Sequence, residues 1–206
     1  ANAHYELKQY DNILAPAKRS IELQEKPNQN PYVLIMASYY ERKMYPQAVK
    51  AVEQLVKHFP TDPKWWRQLA MFYMLTEDYQ RGLSAMEVAY RQGFLEKDSH
   101  MKQLAQLYSS NGIPYKAAMI QEKYIDSGLI ERNEQTVYIM ANTFQNAKEF
   151  EKAAKYFGEA AKLSGNADYY RKQANMFMVM EQYKNATSAY EKSIDAGIKK
   201  KGIVYM

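Results

Sequence analysis

The sequence predicts an all-α protein: a right-handed α–α superhelix of about five helix pairs, preceded by a degenerate helical pair. Two observations carry this expectation. A fixed set of small and aromatic residues returns about every 34 residues, and helix-start and helix-stop residues return with the same period. Trp66, Leu69, Ala70, Tyr73, Gly82, Met86 and Ala89 are matched, offset for offset, by Tyr32, Ile35, Met36, Tyr39, Ala48, Val52 and Leu55. The set returns as Met101, Leu104, Ala105, Tyr108, Ala117, Gln121 and Tyr124, then as Val137, Met140, Ala141, Phe144, Ala153, Phe157 and Ala160. A last copy reads Tyr170, Gln173, Ala174, Phe177, Ala186, Tyr190 and Ser193.

Each residue type has a packing task. Ala70, Ala105, Ala141 and Ala174 fall where the two helices of a pair approach closely, and Ala48, Gly82, Ala117, Ala153 and Ala186 fall where a second helix meets the next pair. A larger side chain at either place holds the backbones apart. Tyr39, Tyr73, Tyr108, Phe144 and Phe177 fill the remaining wedge. This spacing resembles the tetratricopeptide signature, W-x2-L-G-x2-Y followed by A-x3-F, with Pro60 as a closing proline. The resemblance implies a solenoid of antiparallel helix pairs that buries a continuous strip of core.

The punctuation fits that reading. Asn30-Pro31 and Asp62-Pro63 each pair an N-cap residue with a proline at the first helical position, and Asp98, Asn133 and Asn166 serve the later copies. Pro46 and Pro114 stand where second helices open, and Gly93, Gly128, Gly165 and Gly197 follow second helices as C-terminal caps. Helix pairs are expected near 30–57, 63–92, 98–127, 134–163 and 167–196. The repeats then run 29–62, 63–97, 98–133, 134–166 and 167–201, after a degenerate helical repeat at 1–28. In that first segment Leu7, Tyr10, Ile13, Leu14, Ala17 and Ile21 form the apolar set. Residues 202–206 read as the start of a further, truncated repeat, so the chain is expected to be a fragment with sequence missing at both ends.

Composition excludes several function classes. No stretch approaches the roughly 20 apolar residues of a membrane span. The net charge of +5 is dispersed, and its only basic run, Lys199 to Lys201, reads as a solvated turn, so no nucleic-acid partner is expected. Without cysteine there are no disulfides or thiolate metal sites. His4, His58 and His100 lie in different copies without ligand-like neighbours, and no phosphate loop or nucleophile motif is present. No catalytic residues, metal or cofactor are assigned. Met176, Met178 and Met180 are two apart on a helix, so only Met178 is expected on the open face.

What remains is surface. In this architecture the second, fifth, ninth, twelfth and thirteenth positions of the first helices line the concave groove. The candidate partner-binding residues are Arg67, Met71, Met74, Lys102, Gln106, Tyr138, Asn142, Gln145, Arg171, Asn175 and Met178. Gln106, Asn142 and Asn175 form a carboxamide ladder, suited to the backbone of an extended peptide. Arg67, Lys102 and Arg171 share a cationic position, interrupted by Tyr138, which favours acidic side chains or a terminal carboxylate. The five-residue clamp with which chaperone-tail-binding tetratricopeptide domains hold a carboxylate is absent from every triplet of copies. In the last triplet, for example, the positions read Lys102, Gln106, Ile139, Asp168 and Lys172.

Several longer blocks carry a narrower resemblance: Met86 to Leu95 running into Leu104 to Tyr108, then Gly112 to Ala118 and Ala160 to Gly165. They are similar to tetratricopeptide proteins encoded beside TonB, ExbB and ExbD in gammaproteobacteria. That resemblance implies an exported, periplasmic, non-enzymatic scaffold assisting a TonB-type complex in outer-membrane uptake of iron-siderophores, with a component of that complex as partner. Two other readings use the same architecture. One is a cytoplasmic or envelope adaptor for a pilus or outer-membrane assembly machine, and the other is an RNA-binding helical repeat.

Overall fold

The computed structural model describes residues 1–197, and every described regular element is helical. The expectations for Lys199–Lys201 and for residues 202–206 lie outside the described residues. The chain forms two compact units that divide after Leu95.

The first unit opens with α1 (Asn2–Glu6), a 3-10 turn (Tyr10–Ile13) and α2 (Leu14–Leu23). The pairs α3 (Gln29–Glu41) with α4 (Tyr45–His58) and α5 (Pro63–Leu75) with α6 (Tyr79–Arg91) follow. The second unit contains α7 (Asp98–Ser110) with α8 (Pro114–Asp126), α9 (Glu134–Asn146) with α10 (Phe150–Ser164), and α11 (Ala167–Val179) with α12 (Tyr183–Asp195). Within each unit every helix packs on its neighbours in sequence, the arrangement that the repeat predicts.

The small residues are where the packing argument needs them. Ala70, Ala105, Ala141, Ala174, Ala48, Gly82, Ala117, Ala153 and Ala186 are all buried. Tyr73, Tyr108 and Phe144 are buried too, whereas Tyr39 and Phe177, in the first and last copies, are only half-buried. Met176 is buried and Met178 is exposed, as the helical angle requires.

The caps are mostly those expected. The side chains of Asp62, Asn133 and Asn166 accept from backbone N–H groups of the first turn, and Asn133 closes a reciprocal box with Thr136. Asn30 is not a cap. Asn28 takes that role by accepting from the Asn30 N–H at 2.8 Å, which places Pro31 inside the first turn, where its missing N–H leaves nothing unsatisfied. Asp98 likewise lies one residue inside its helix, where it accepts from Ser99 and pairs with Lys102.

The first segment departs furthest from expectation. A helix running from His4 is interrupted at Leu7–Gln9, where Lys8 takes a left-handed φ of 55°. Leu7 therefore stays exposed, and only Ile13 and Ala17 of the expected apolar set are fully buried. The Ser38 hydroxyl donates to the Tyr10 carbonyl at 2.7 Å, tying this segment to α3.

Candidate functional site

In the first unit, Arg67 is half-buried and donates from Nη1 to the Phe94 carbonyl at 3.2 Å, which fixes it as a structural strut. Met71 and Leu75 are exposed on the same helix, Met74 is half-buried, and Tyr40 sets its exposed ring edge-on to Phe72. This first-helix face is mainly apolar.

The second unit presents the carboxamides and three of the cationic or aromatic positions, and most of them already have internal partners. Lys102 pairs with Asp98 at 2.9 Å, and Arg171 with Asp168 at 3.0 Å, each within one helical turn. Both cations are thus locally neutralised. Gln106 is exposed and donates to the Ser110 hydroxyl at 3.3 Å. Asn142 donates back to the Tyr138 carbonyl at 2.8 Å and accepts from Lys172 Nζ at 3.1 Å. Asn175 accepts from the Tyr190 hydroxyl at 2.7 Å. Gln145 is half-buried and Met178 exposed. The ladder therefore offers one outward carboxamide, Gln106, and two that the fold has oriented.

Where α9 meets α11, the structure gathers a cluster. Tyr138 stacks on Tyr169 with centroids 4.4 Å apart, and Tyr138 also lies 6.0 Å from Phe157 of α10. The Lys172 ammonium stands 4.9 Å from the Tyr138 centroid and 5.3 Å from that of Phe157, within cation–π range. Hydrogen bonding from Lys172, opposed by burial, holds the Tyr138 phenol below the ordinary tyrosine value. The Tyr169 hydroxyl donates to Glu134 at 2.6 Å, and that bond, helped by burial, pushes its pKa up to about 12. Two stacked phenols thus shift in opposite directions because one meets a cation and the other a carboxylate.

The equivalent place between α7 and α9 is different. Lys102, Thr136 and Gln121 replace Tyr138, Tyr169 and Phe157 in the repeat register, and Ile139 replaces Lys172. The three rings are missing there, and a cavity of about 180 Å³ remains, walled by Ile125, Ile130 and Ile139 with Gln106 and Thr136 beside them. Gln121 also lines it, and its Oε1 is buried without a hydrogen-bond partner. Ile139 is 46% exposed, so the cavity opens beside an apolar side chain that the fold leaves uncovered.

Ile139 and Lys172 both occupy the sixth position of their first helices, which the groove register passed over. The sequence did hold a signal. Gln121 is the one carboxamide in a column otherwise filled by Val52, Met86, Phe157 and Tyr190, and a polar residue at a core position calls for an explanation.

Among the described residues, no three His, Asp or Glu side chains gather to hold a metal ion, and no helix is long and apolar enough to cross a membrane. No family model and no curated protein matches the chain. Solved structures do match. YrrB, described as a TPR protein with an unusual peptide-binding site, is 16% identical with a TM-score of 0.62, covering 89% of this chain and 93% of its own. A MamA structure is 20% identical with a TM-score of 0.61, covering 86% and 97%. MamA from Desulfovibrio magneticus RS-1 is 14% identical with a TM-score of 0.58, covering 82% and 94%. At these identities the likeness is one of architecture, and it agrees with the repeat, the caps and the helix pairing: the chain has the tetratricopeptide-repeat fold.

Proposed function

We propose that this chain is a non-enzymatic interaction scaffold that holds an extended segment of a partner protein against the first-helix face of its repeats. The observation that carries this reading is the second unit's open face. There, exposed apolar side chains (Ile139, Met178) alternate with carboxamides and a lysine that has no carboxylate partner among the described residues. An apolar pocket with a few fixed polar groups is the usual form of a binding site. The likeness to YrrB, itself described as peptide-binding, supports a peptide-sized ligand.

The same proposal assigns the partner to a TonB-type energy-transduction complex and the protein to the periplasm. That assignment rests on the sequence blocks around 86–118 and 160–165. The full-length protein should then fractionate with the periplasm, and a photocrosslinker placed at Ile139 should trap a component of that complex, whereas one at Lys155 on a second helix should not. Cytoplasmic fractionation overturns the TonB assignment. Equal labelling from both positions moves the partner away from the first-helix face.

A further inference from the structure

The two repeat junctions of the second unit are the same site in two states of filling. At the α9–α11 junction the rings of Tyr138 and Phe157 lie under Lys172, and Tyr169 stacks on Tyr138. At the α7–α9 junction the equivalent residues are Lys102, Thr136 and Gln121, and about 180 Å³ stands open beside Ile125, Ile130 and Ile139. An apolar cavity of about 150 Å³ is enough to take up a benzene ring. The filled junction therefore shows what the open one accommodates. A ring in the open cavity would take up space that larger side chains fill one repeat later.

Resting on the peptide-scaffold reading, we propose that the second unit selects an extended segment carrying an aromatic side chain and an acidic side chain about three residues apart. The aromatic ring enters the Ile125–Ile130–Ile139 cavity, and the carboxylate meets Lys172. The charge assignment follows from the pairing. Lys102 and Arg171 have Asp98 and Asp168, whereas Lys172 is half-buried, held by Asn142 and aromatic rings, and paired with no carboxylate among the described residues. The spacing follows from geometry. Packed helices lie roughly 9 Å apart, and an extended chain advances about 3.3 Å per residue, so one junction corresponds to about three residues.

The test uses fluorescein-labelled ten-residue peptides of alanine and serine carrying one phenylalanine and one aspartate three residues apart, in both orders. Controls replace phenylalanine by serine, replace aspartate by asparagine, or bring the two residues to adjacent positions. Fluorescence anisotropy against the whole chain should show one order binding about tenfold more tightly than every control, a difference of about 1.4 kcal/mol. Gln121→Phe, which fills the cavity as Phe157 fills its own junction, should remove the phenylalanine advantage and leave the aspartate one. Ile139→Ser, at an exposed position, checks the same cavity should Gln121→Phe fail to fold. Lys172→Met should remove the aspartate advantage and leave the phenylalanine one. Equal binding of matched and control peptides overturns the selection rule while leaving a peptide scaffold standing. No binding of any peptide overturns the scaffold reading on this face as well.

Discussion

The Tyr156 hydroxyl donates to one oxygen of the Glu122 carboxylate at 2.6 Å, and Lys152 Nζ donates to the other at 2.6 Å. This joins α8 to α10 through second helices of successive repeats. The first unit repeats the ion pair at the same register positions, with Glu53 facing Arg81 at 3.7 Å, but its hydroxyl comes from a first helix: Glu53 accepts from Tyr73 of α5 at 2.7 Å. A glutamate in one second helix and a cation at the start of the next thus staple neighbouring pairs. In the fourth copy Gly158 stands at the glutamate position, and the staple is absent there.

Replacing Glu122 by glutamine should therefore cost about 1–2 kcal/mol at neutral pH, the scale of hydrogen bonds to a charged group on a partly exposed pair. Burial pushes the Glu122 carboxyl up, but hydrogen bonds from Lys152 and Tyr156 prevail and its pKa lies below the ordinary 4.5. A depressed carboxylate stabilises the fold fully above its unfolded pKa and loses that contribution as pH falls through the folded value. Urea denaturation at a series of pH values should show the gap between wild type and Glu122→Gln narrowing below pH 4.5. A constant gap would mean that the carboxylate charge is not what stabilises the contact.

Gly158 and Gln173 are matched to each other. A Cβ on Gly158 would lie 2.2 Å from Gln173 Nε2, in a copy where glutamine replaces the leucine of the repeat signature. Gly158→Ala alone should gain little, because the overlap opposes the improved helix propensity. In a Gln173→Ser background the same change should stabilise by about 1 kcal/mol, the propensity difference between glycine and alanine. Equal effects of Gly158→Ala in both backgrounds, measured by thermal denaturation, would show that the two sites are uncoupled.

The turn inside each helix pair passes through a left-handed residue, and four of the five are not glycine: Lys43, Glu77, Lys148 and Glu181, with φ from 57° to 60°, beside Gly112 at 71°. A side chain costs about 1–2 kcal/mol in that conformation, and glycine's greater freedom in the unfolded chain offsets about half of it. Lys148→Gly should raise stability by about 0.5 kcal/mol, whereas Gly112→Ala should lower it by about 1 kcal/mol. Opposite signs in calorimetric melts would refute the account.

Ala141 and Ala174 have no exposed surface. Leucine at either site should overpack the contact between paired helices and cost about 1–3 kcal/mol. An unchanged melting temperature for both variants would mean that the helices separate at no cost.

The sequence alone determined the repeat, the all-helical class and most helix ends. Those features are local and periodic: an alanine every repeat, an Asp62-Pro63 cap, a glycine such as Gly165 after a second helix, each legible within a few residues. The left-handed turns at Lys43 and Lys148 escaped notice because nothing in a lysine announces a positive φ. The tertiary structure decided which open-face residues are available to a partner. Asp98 and Asp168 neutralise Lys102 and Arg171 from within their own helices, as i,i+4 and i,i+3 spacing allows, and this much could have been read from the sequence. That Lys172 meets Asn142, that Tyr190 holds Asn175, and that a cavity opens beside Ile139 could not. Periodicity fixes which column a side chain belongs to. Its partners and the space around it depend on the side chains one repeat away, and those distances exist only once the pairs have stacked.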